Sequence, residues 1–207
     1  MPRKCRRRTR RCKPRSDATA GSSLSNLDFK TACDALARGG VIAYPTEAVW
    51  GLGCDPANAE AVQRILELKN RPAAKGLIVV AADMDQVSDL LEPLDATQLE
   101  QLRATWPGPV TWIIPDPQCV FSHWVKGEHS SIAVRVSAHP VVQQLCREFG
   151  GPIVSTSANI AGQAEIRDRS ELVVTFAEII DCIVPGELGS AATVSEIRDL
   201  VTGAKLR

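Results

Sequence analysis

At 207 residues the chain is long enough to bury a substantial core as one domain. Its 44% hydrophobic and 23% charged residues are ordinary for a globular protein, and the lack of any run of about 20 apolar residues excludes a membrane-spanning helix. The formal net charge of zero hides an asymmetry: residues 1–15 carry nine Lys/Arg and no acid, leaving 15 basic against 24 acidic residues beyond them.

Residues 1–26 read as a basic, disordered tail, since the arginines run into a Ser/Ala/Gly-rich stretch without apolar periodicity. No apolar segment follows the charges, so the tail is not a secretory signal. Three readings stay open for it: a nucleic-acid-binding arm, a targeting segment, or translation from an upstream start codon. Folded sequence begins near Leu27, and residues 27–207 read as one domain.

Residues 28–38 have helical spacing and stop at Gly39-Gly40. Residues 41–44 read as a strand ended by Pro45, and residues 45–56 as a loop containing Gly51 and Gly53. A helix follows over 58–69, with Ala61, Val62, Ile65, Leu66 and Leu68 on one face. Residues 76–81 form the next strand, 83–91 and 97–106 two helices, and 110–114 and 131–136 two strands. A helix over 139–149 ends at Gly150-Gly151, and 153–155 is a strand. Residues 170–179 are helical, 183–184 and 194–201 are strands, and Thr202-Gly203 turns the last segment back. Strands and helices mix without strict alternation, which predicts an α/β sheet of mixed direction.

The seven cysteines are widely spaced and contain no Cys-x-x-Cys pair, so neither a zinc site nor a disulfide framework is expected. Most are read as reduced, buried small hydrophobes, and the three histidines make no motif. No metal-ligating set is assigned.

Two polar clusters adjoin strongly apolar runs. The first is Lys69-Asn70-Arg71-Pro72-Ala73-Ala74-Lys75, before Gly76–Val80; the second is Ser155-Thr156-Ser157-Ala158-Asn159, after Ile153-Val154. Both fall at strand ends, where loops gather into sites. Three cations in seven residues favour a phosphate or carboxylate, and the hydroxyls and amide supply orienting hydrogen bonds. Simpler readings exist for each. Cations complement a helix C-terminus, which explains Lys69 well but Arg71 and Lys75 less so. Ser and Asn commonly cap helices and turns. Arg135 interrupts an apolar strand, so it either pairs with a carboxylate or reaches into a site. The segment Gly51-Leu52-Gly53 lacks the third glycine of a dinucleotide fingerprint, and neither a P-loop nor a nucleophile elbow is present.

In order, Pro45-Thr46-Glu47, Gly51-Leu52-Gly53, Lys69-x-Arg71-Pro72, Ser131-Ile132-Ala133-Val134-Arg135 and Ser155-Thr156-Ser157-Ala158-Asn159 resemble the YrdC/Sua5 family, from about Leu27 to Arg207. The length matches the family's short bacterial form. The resemblance implies a single-domain, twisted, open mixed sheet with a concave, positively lined groove. It also implies the reaction: L-threonine, bicarbonate and ATP give L-threonylcarbamoyladenylate and pyrophosphate, for N6-threonylcarbamoyladenosine in tRNA. By the same matching, Lys69, Arg71, Ser157 and Asn159 are catalytic. Arg71, Lys75, Ser157, Ser195 and Arg198 bind ATP, and Thr46, Ser131, Arg135 and Ser155 hold threonine. ATP is a substrate, carried with Mg²⁺, and no tightly bound cofactor is implied. The implied setting is the cytoplasm, with weak tRNA contact, a separate transferase complex met transiently, and no membrane.

Two departures from the family pattern stand out: Ala48 replaces a threonine, and the segment Gly186–Thr193 lacks a Gly-Arg/Lys element. An RNA-binding module using the same cations is the alternative function; the acidic balance of residues 27–207 and the few aromatic residues weigh against it. A carbamoyl-transfer domain of the hydrogenase-maturation type shares the fold, but the chain lacks that type's acylphosphatase and zinc-finger segments.

Overall fold

The computed structural model describes residues 26–207; the basic tail lies outside the described residues, apart from Asn26. Helix α1 (Asn26–Ala37) leads into the hairpin β1 (Ile42–Pro45) and β2 (Trp50–Gly53). Helix α2 (Ala59–Leu68) and a 3₁₀ turn (Ala73–Lys75) precede β3 (Ile78–Ala81). Then come α3 (Ser88–Leu91), α4 (Ala96–Arg103), β4 (Val110–Pro115), α5 (His123–Lys126), β5 (Ser131–Val136), α6 (Pro140–Phe149) and β6 (Ile153–Ser157). Helix α7 (Arg169–Phe176), β7 (Cys182–Ile183) and β8 (Glu196–Asp199) complete the chain.

The eight strands form one sheet in the order β7-β1-β2-β6-β3-β5-β4-β8. The β1–β7, β3–β5 and β4–β8 pairs are parallel and the others antiparallel, so the sheet is mixed as expected. Alternation along the strands divides the core. Val41, Ala43, Val79, Ala81 and Val154 face α2, α4 and α7, whereas Ile42, Tyr44, Val80 and Ile153 face α1 and α6. On the second face α1 and α6 cover β1, β3 and β7, leaving the cavity over the neighbouring strands.

The loop expected over 45–56 contains β2, which pairs on both sides with β1 and β6. Its two glycines hide it, because glycine is a poor strand former. Tertiary packing demands one of them: a Cβ on Gly53 would stand 2.6 Å from the Val154 carbonyl and 2.7 Å from the Tyr44 ring. Strand β6 runs to Ser157, two residues past the expected end, so the second polar cluster begins inside the sheet. The expected helix over 83–91 is a 3₁₀ turn at Asp85–Val87 followed by α3, while a capping box between Asp95 and Gln98 starts α4. The last strand is confined to Glu196–Asp199, and the turn at Thr202-Gly203 returns the chain beside it, bridging Lys205 to Arg198.

The five described cysteines are free. Cys54 and Cys146 are buried, Cys33 and Cys182 half-buried, and Cys119 is exposed; Cys5 and Cys12 lie outside the described residues. Burial pushes the Cys146 thiol up to about 12, which keeps it an inert core residue.

Candidate active site

The site starts with the way α2 ends. Asn70 takes a left-handed conformation at φ 49°. Its N–H donates to the Glu67 carbonyl at 2.9 Å, and that of Arg71 to the Leu66 carbonyl at 2.9 Å, a Schellman turn with Asn in the usual glycine position. The reversal separates the two cations that the sequence places two residues apart. Lys69 turns inward and is 4% exposed. Arg71 reaches the cavity, with Nε and Nη2 donating to the Gly76 carbonyl at 3.1 and 3.0 Å.

Lys69 Nζ donates to the Ser157 carbonyl at 2.6 Å and to both the carbonyl and Oδ1 of Asn159 at 2.8 Å. An ammonium has three hydrogens, and these acceptors use all of them. Asn159 Oδ1 also accepts from Ser157 Oγ at 2.7 Å, and Asn159 Nδ2 donates to the Gln163 carbonyl at 2.8 Å. Burial, reinforced by the charge of Arg71, lowers the Lys69 ammonium to about 8. Lys69 and Asn159 therefore lock the turn after β6, and neither lines the cavity; Ser157 does.

The cavity, of about 330 Å³, is in the range of small-molecule sites. Its floor is one face of the sheet: Ser131, Ala133 and Arg135 from β5, Ile78 from β3, Ser155 and Ser157 from β6, and Gly51 from β2. Register accounts for this, because Ile78 pairs with both Ala133 and Ser155, and Gly51 pairs with Ser157. Partners across adjacent strands share a face. Five Lys/Arg side chains (Arg71, Lys75, Lys126, Arg135 and Arg207) line it against two carboxylates, Glu47 and Glu165. Lys126 is already neutralised by Asp116 at 2.9 Å, both nearly fully buried.

Arg135 meets both expectations set for it. It lines the cavity and pairs with Glu47 through Nη1 and Oε2 at 2.6 Å. Burial raises the Glu47 carboxyl, but the Arg135 charge and the hydrogen bond from Ser137 outweigh it and hold the group below the usual glutamate range. Thr46 lines the cavity too, although its hydroxyl donates to the Val49 carbonyl at 2.7 Å and can only accept from a ligand.

Lys75 stands on the rim, where Gly76 lets two elements meet. Gly76 has φ 61°, and a Cβ there would lie 2.6 Å from the Lys126 carbonyl, so α5 packs against the 3₁₀ turn only with glycine at this position. Ser195 lines the cavity and accepts from Thr111 Oγ1 at 2.9 Å. Arg198 does not line it. Strand alternation sends Ser195 and Ile197 to the cavity face and Arg198 to the other, where it pairs with Glu196 and covers the Trp112 ring at 5.8 Å.

Sequence reasoning assigned no role to Arg207, Glu165, Lys126 or His129, all of which line the cavity. Arg207 arrives by the C-terminal turn, its guanidinium donating to the Ser195 carbonyl at 3.0 and 3.2 Å. The signal available was the Thr202-Gly203 turn, which predicts the return but not its endpoint. Among the described residues no group of three or more His, Cys, Asp or Glu side chains could hold a metal ion, and no helix is long and apolar enough to cross a membrane.

Residues 34–207 match the model of the Sua5/YciO/YrdC family, described as "Telomere recombination". The chain is 56% identical over 187 residues to a threonylcarbamoyl-AMP synthase of Marinobacter nauticus, covering 90% of this chain and 98% of that protein. It is 52% identical over 184 residues to the threonylcarbamoyl-AMP synthase of Hahella chejuensis, covering 89% of this chain and 100% of that one. Among solved structures, P. abyssi Sua5 complexed with L-threonine superposes with a TM-score of 0.81 at 29% identity. That match covers 87% of this chain and 53% of the Sua5 chain, so this chain spans about half of Sua5.

Proposed function

Because this chain belongs to the Sua5/YciO/YrdC family, we propose that it is a threonylcarbamoyl-AMP synthase acting in tRNA N6-threonylcarbamoyladenosine formation. It is a nucleotidyltransferase that joins L-threonine, bicarbonate and ATP and releases pyrophosphate. One observation carries the assignment of roles: a single cavity holds a buried, strand-borne arginine on its floor and a separate set of cations at its rim. A carboxylate suits the first and a polyphosphate the second.

Arg135 binds the threonine carboxylate, with Ser131, Ser155 and Thr46 orienting the amino acid. Bicarbonate takes up the proton that the threonine amine gives up and loses water to yield carbon dioxide, and the amine attacks that carbon to form a carbamate. A carbamate oxygen then attacks the α-phosphorus; the bond to the β-phosphate oxygen breaks and pyrophosphate leaves. Arg71, Lys75 and Arg207 neutralise the phosphates, and Ser157 and Ser195 add hydroxyl contacts. From the carbamate onward every species is anionic, so positioning and charge neutralisation are the protein's main tasks. Lys69 and Asn159 act by holding the Ser157 turn, and Arg198 supports the wall behind Ser195. Magnesium travels on the nucleotide as part of the substrate. The protein works in the cytoplasm, and a separate complex transfers the threonylcarbamoyl group to tRNA, which this protein contacts weakly.

An RNA-binding role without chemistry is less well supported, since these cations converge in a small-molecule cavity instead of tracking a backbone along an open face. The test is pyrophosphate release from ATP by purified protein. Release requiring both L-threonine and bicarbonate is expected; release independent of either, from folded protein, refutes the proposal.

A further inference from the structure

Glu47 lies on the turn between β1 and β2 and spans two residues at the end of β5. Its Oε1 accepts from Ser137 Oγ at 2.6 Å, while its Oε2 is ion-paired with Arg135. Arg135 and Ser137 stand two apart, so they emerge on the same side. Ser137 is fixed in turn: its Oγ accepts the His139 N–H at 3.1 Å, and its carbonyl accepts from Gln143 Nε2 at 2.9 Å. The Glu47 backbone is held as well, its carbonyl accepting the Ala191 N–H at 2.9 Å. Arg135 is 7% exposed, and its buried Nε has no hydrogen-bond partner. A guanidinium has five N–H donors, so one ionic contact with Glu47 leaves donors for a ligand.

A buried guanidinium without a counter-charge would attract any phosphate in the cavity, and the nucleotide brings three. A guanidinium already paired with a carboxylate forms a site of no net charge. Such a site suits a zwitterion better than a polyanion. We infer that Glu47 is a positioning and specificity-determining residue: it fixes the Arg135 fork for the amino-acid carboxylate and keeps phosphate out of that half of the cavity. The inference rests on the synthase reading.

Steady-state kinetics on the full chain, with inorganic phosphate as the probe, test it. Wild type is measured first: absence of threonine-dependent pyrophosphate release there refutes the synthase reading itself. Glu47→Gln keeps an acceptor for Ser137 but removes the charge. Its threonine KM is expected to rise about tenfold or more with the ATP KM little changed. Phosphate is expected to inhibit it competitively against threonine at concentrations that leave wild type unaffected. A merely structural role does not create a phosphate site. Ser137→Ala removes the Oε1 bond but keeps the charge, so a smaller rise in threonine KM, about threefold, without phosphate inhibition is expected. Wild-type threonine KM and phosphate tolerance in Glu47→Gln overturn the inference. If Glu47→Gln does not fold, an unchanged threonine KM in Ser137→Ala overturns it.

Discussion

Lys69→Met separates two roles for a lysine that sequence matching places in the catalytic set. Methionine keeps most of the apolar stem, so packing is largely preserved and the loss is confined to the ammonium and its three hydrogen bonds to Ser157 and Asn159. Each acceptor left without a partner costs about 1–3 kcal/mol when buried. Ser157 and Asn159 are only partly buried, so water recovers part of this, and a loss of about 3 kcal/mol is expected. For a domain of this size that lowers Tm by roughly 6–12 °C. Ser157 Oγ also loses its fixed partner orientation, so pyrophosphate release falls with the loosened turn. Calorimetry and turnover are measured on one preparation. A variant with wild-type Tm and no activity would refute the reasoning, because it would mean that Lys69 acts on the nucleotide and not on the turn.

Arg71→Ala, by contrast, is expected to lower pyrophosphate release by at least about 100-fold while Tm changes little, since Arg71 is half-exposed and its one partner is a carbonyl; calorimetry beside the activity assay checks this. Arg207→Ala should raise the ATP KM about tenfold and leave the threonine KM unchanged, as read from separate substrate titrations. Asp116→Asn leaves the Lys126 ammonium buried without its counter-charge and should cost about 3–5 kcal/mol, visible in urea unfolding. The lowered Lys69 value of about 8, against an ordinary 10.5, means that between these values the unfolded chain binds more protons than the folded one. Its contribution to stability therefore rises with pH across that window. Activity moves the other way, because a neutral amine has two hydrogens for three acceptors; a kcat/KM limb falling near pH 8, absent in Lys69→Met, is the expected profile.

Much of this protein was legible in its residues because the relevant signals are local. Apolar runs marked β3, β4, β5 and β6, and periodicity marked α2 and α6, since burial on one side of an element imposes a repeat that needs no partner to be seen. The Lys-x-Arg and Ser-x-Asn clusters were found because charge and hydroxyl density beside an apolar run stand out on their own. What escaped depended on partners distant in the chain. Strand β2 exists because β1 and β6 flank it, against the preference of its glycines. The Schellman turn at Asn70 decided that Arg71 faces the cavity while Lys69, two residues before it, is spent on the Ser157 turn. Strand alternation at β8 decided that Ser195 lines the site and Arg198 does not. The return of the last residues beside β8 brought Arg207 to a cavity whose other walls are set from position 46 onward. Periodicity marked most of the elements and the order of the motifs carried the resemblance to the family, because residue type is a property of the chain. Which cation meets a ligand was decided only by the tertiary structure, because orientation depends on backbone reversals and strand register summed over the whole sheet.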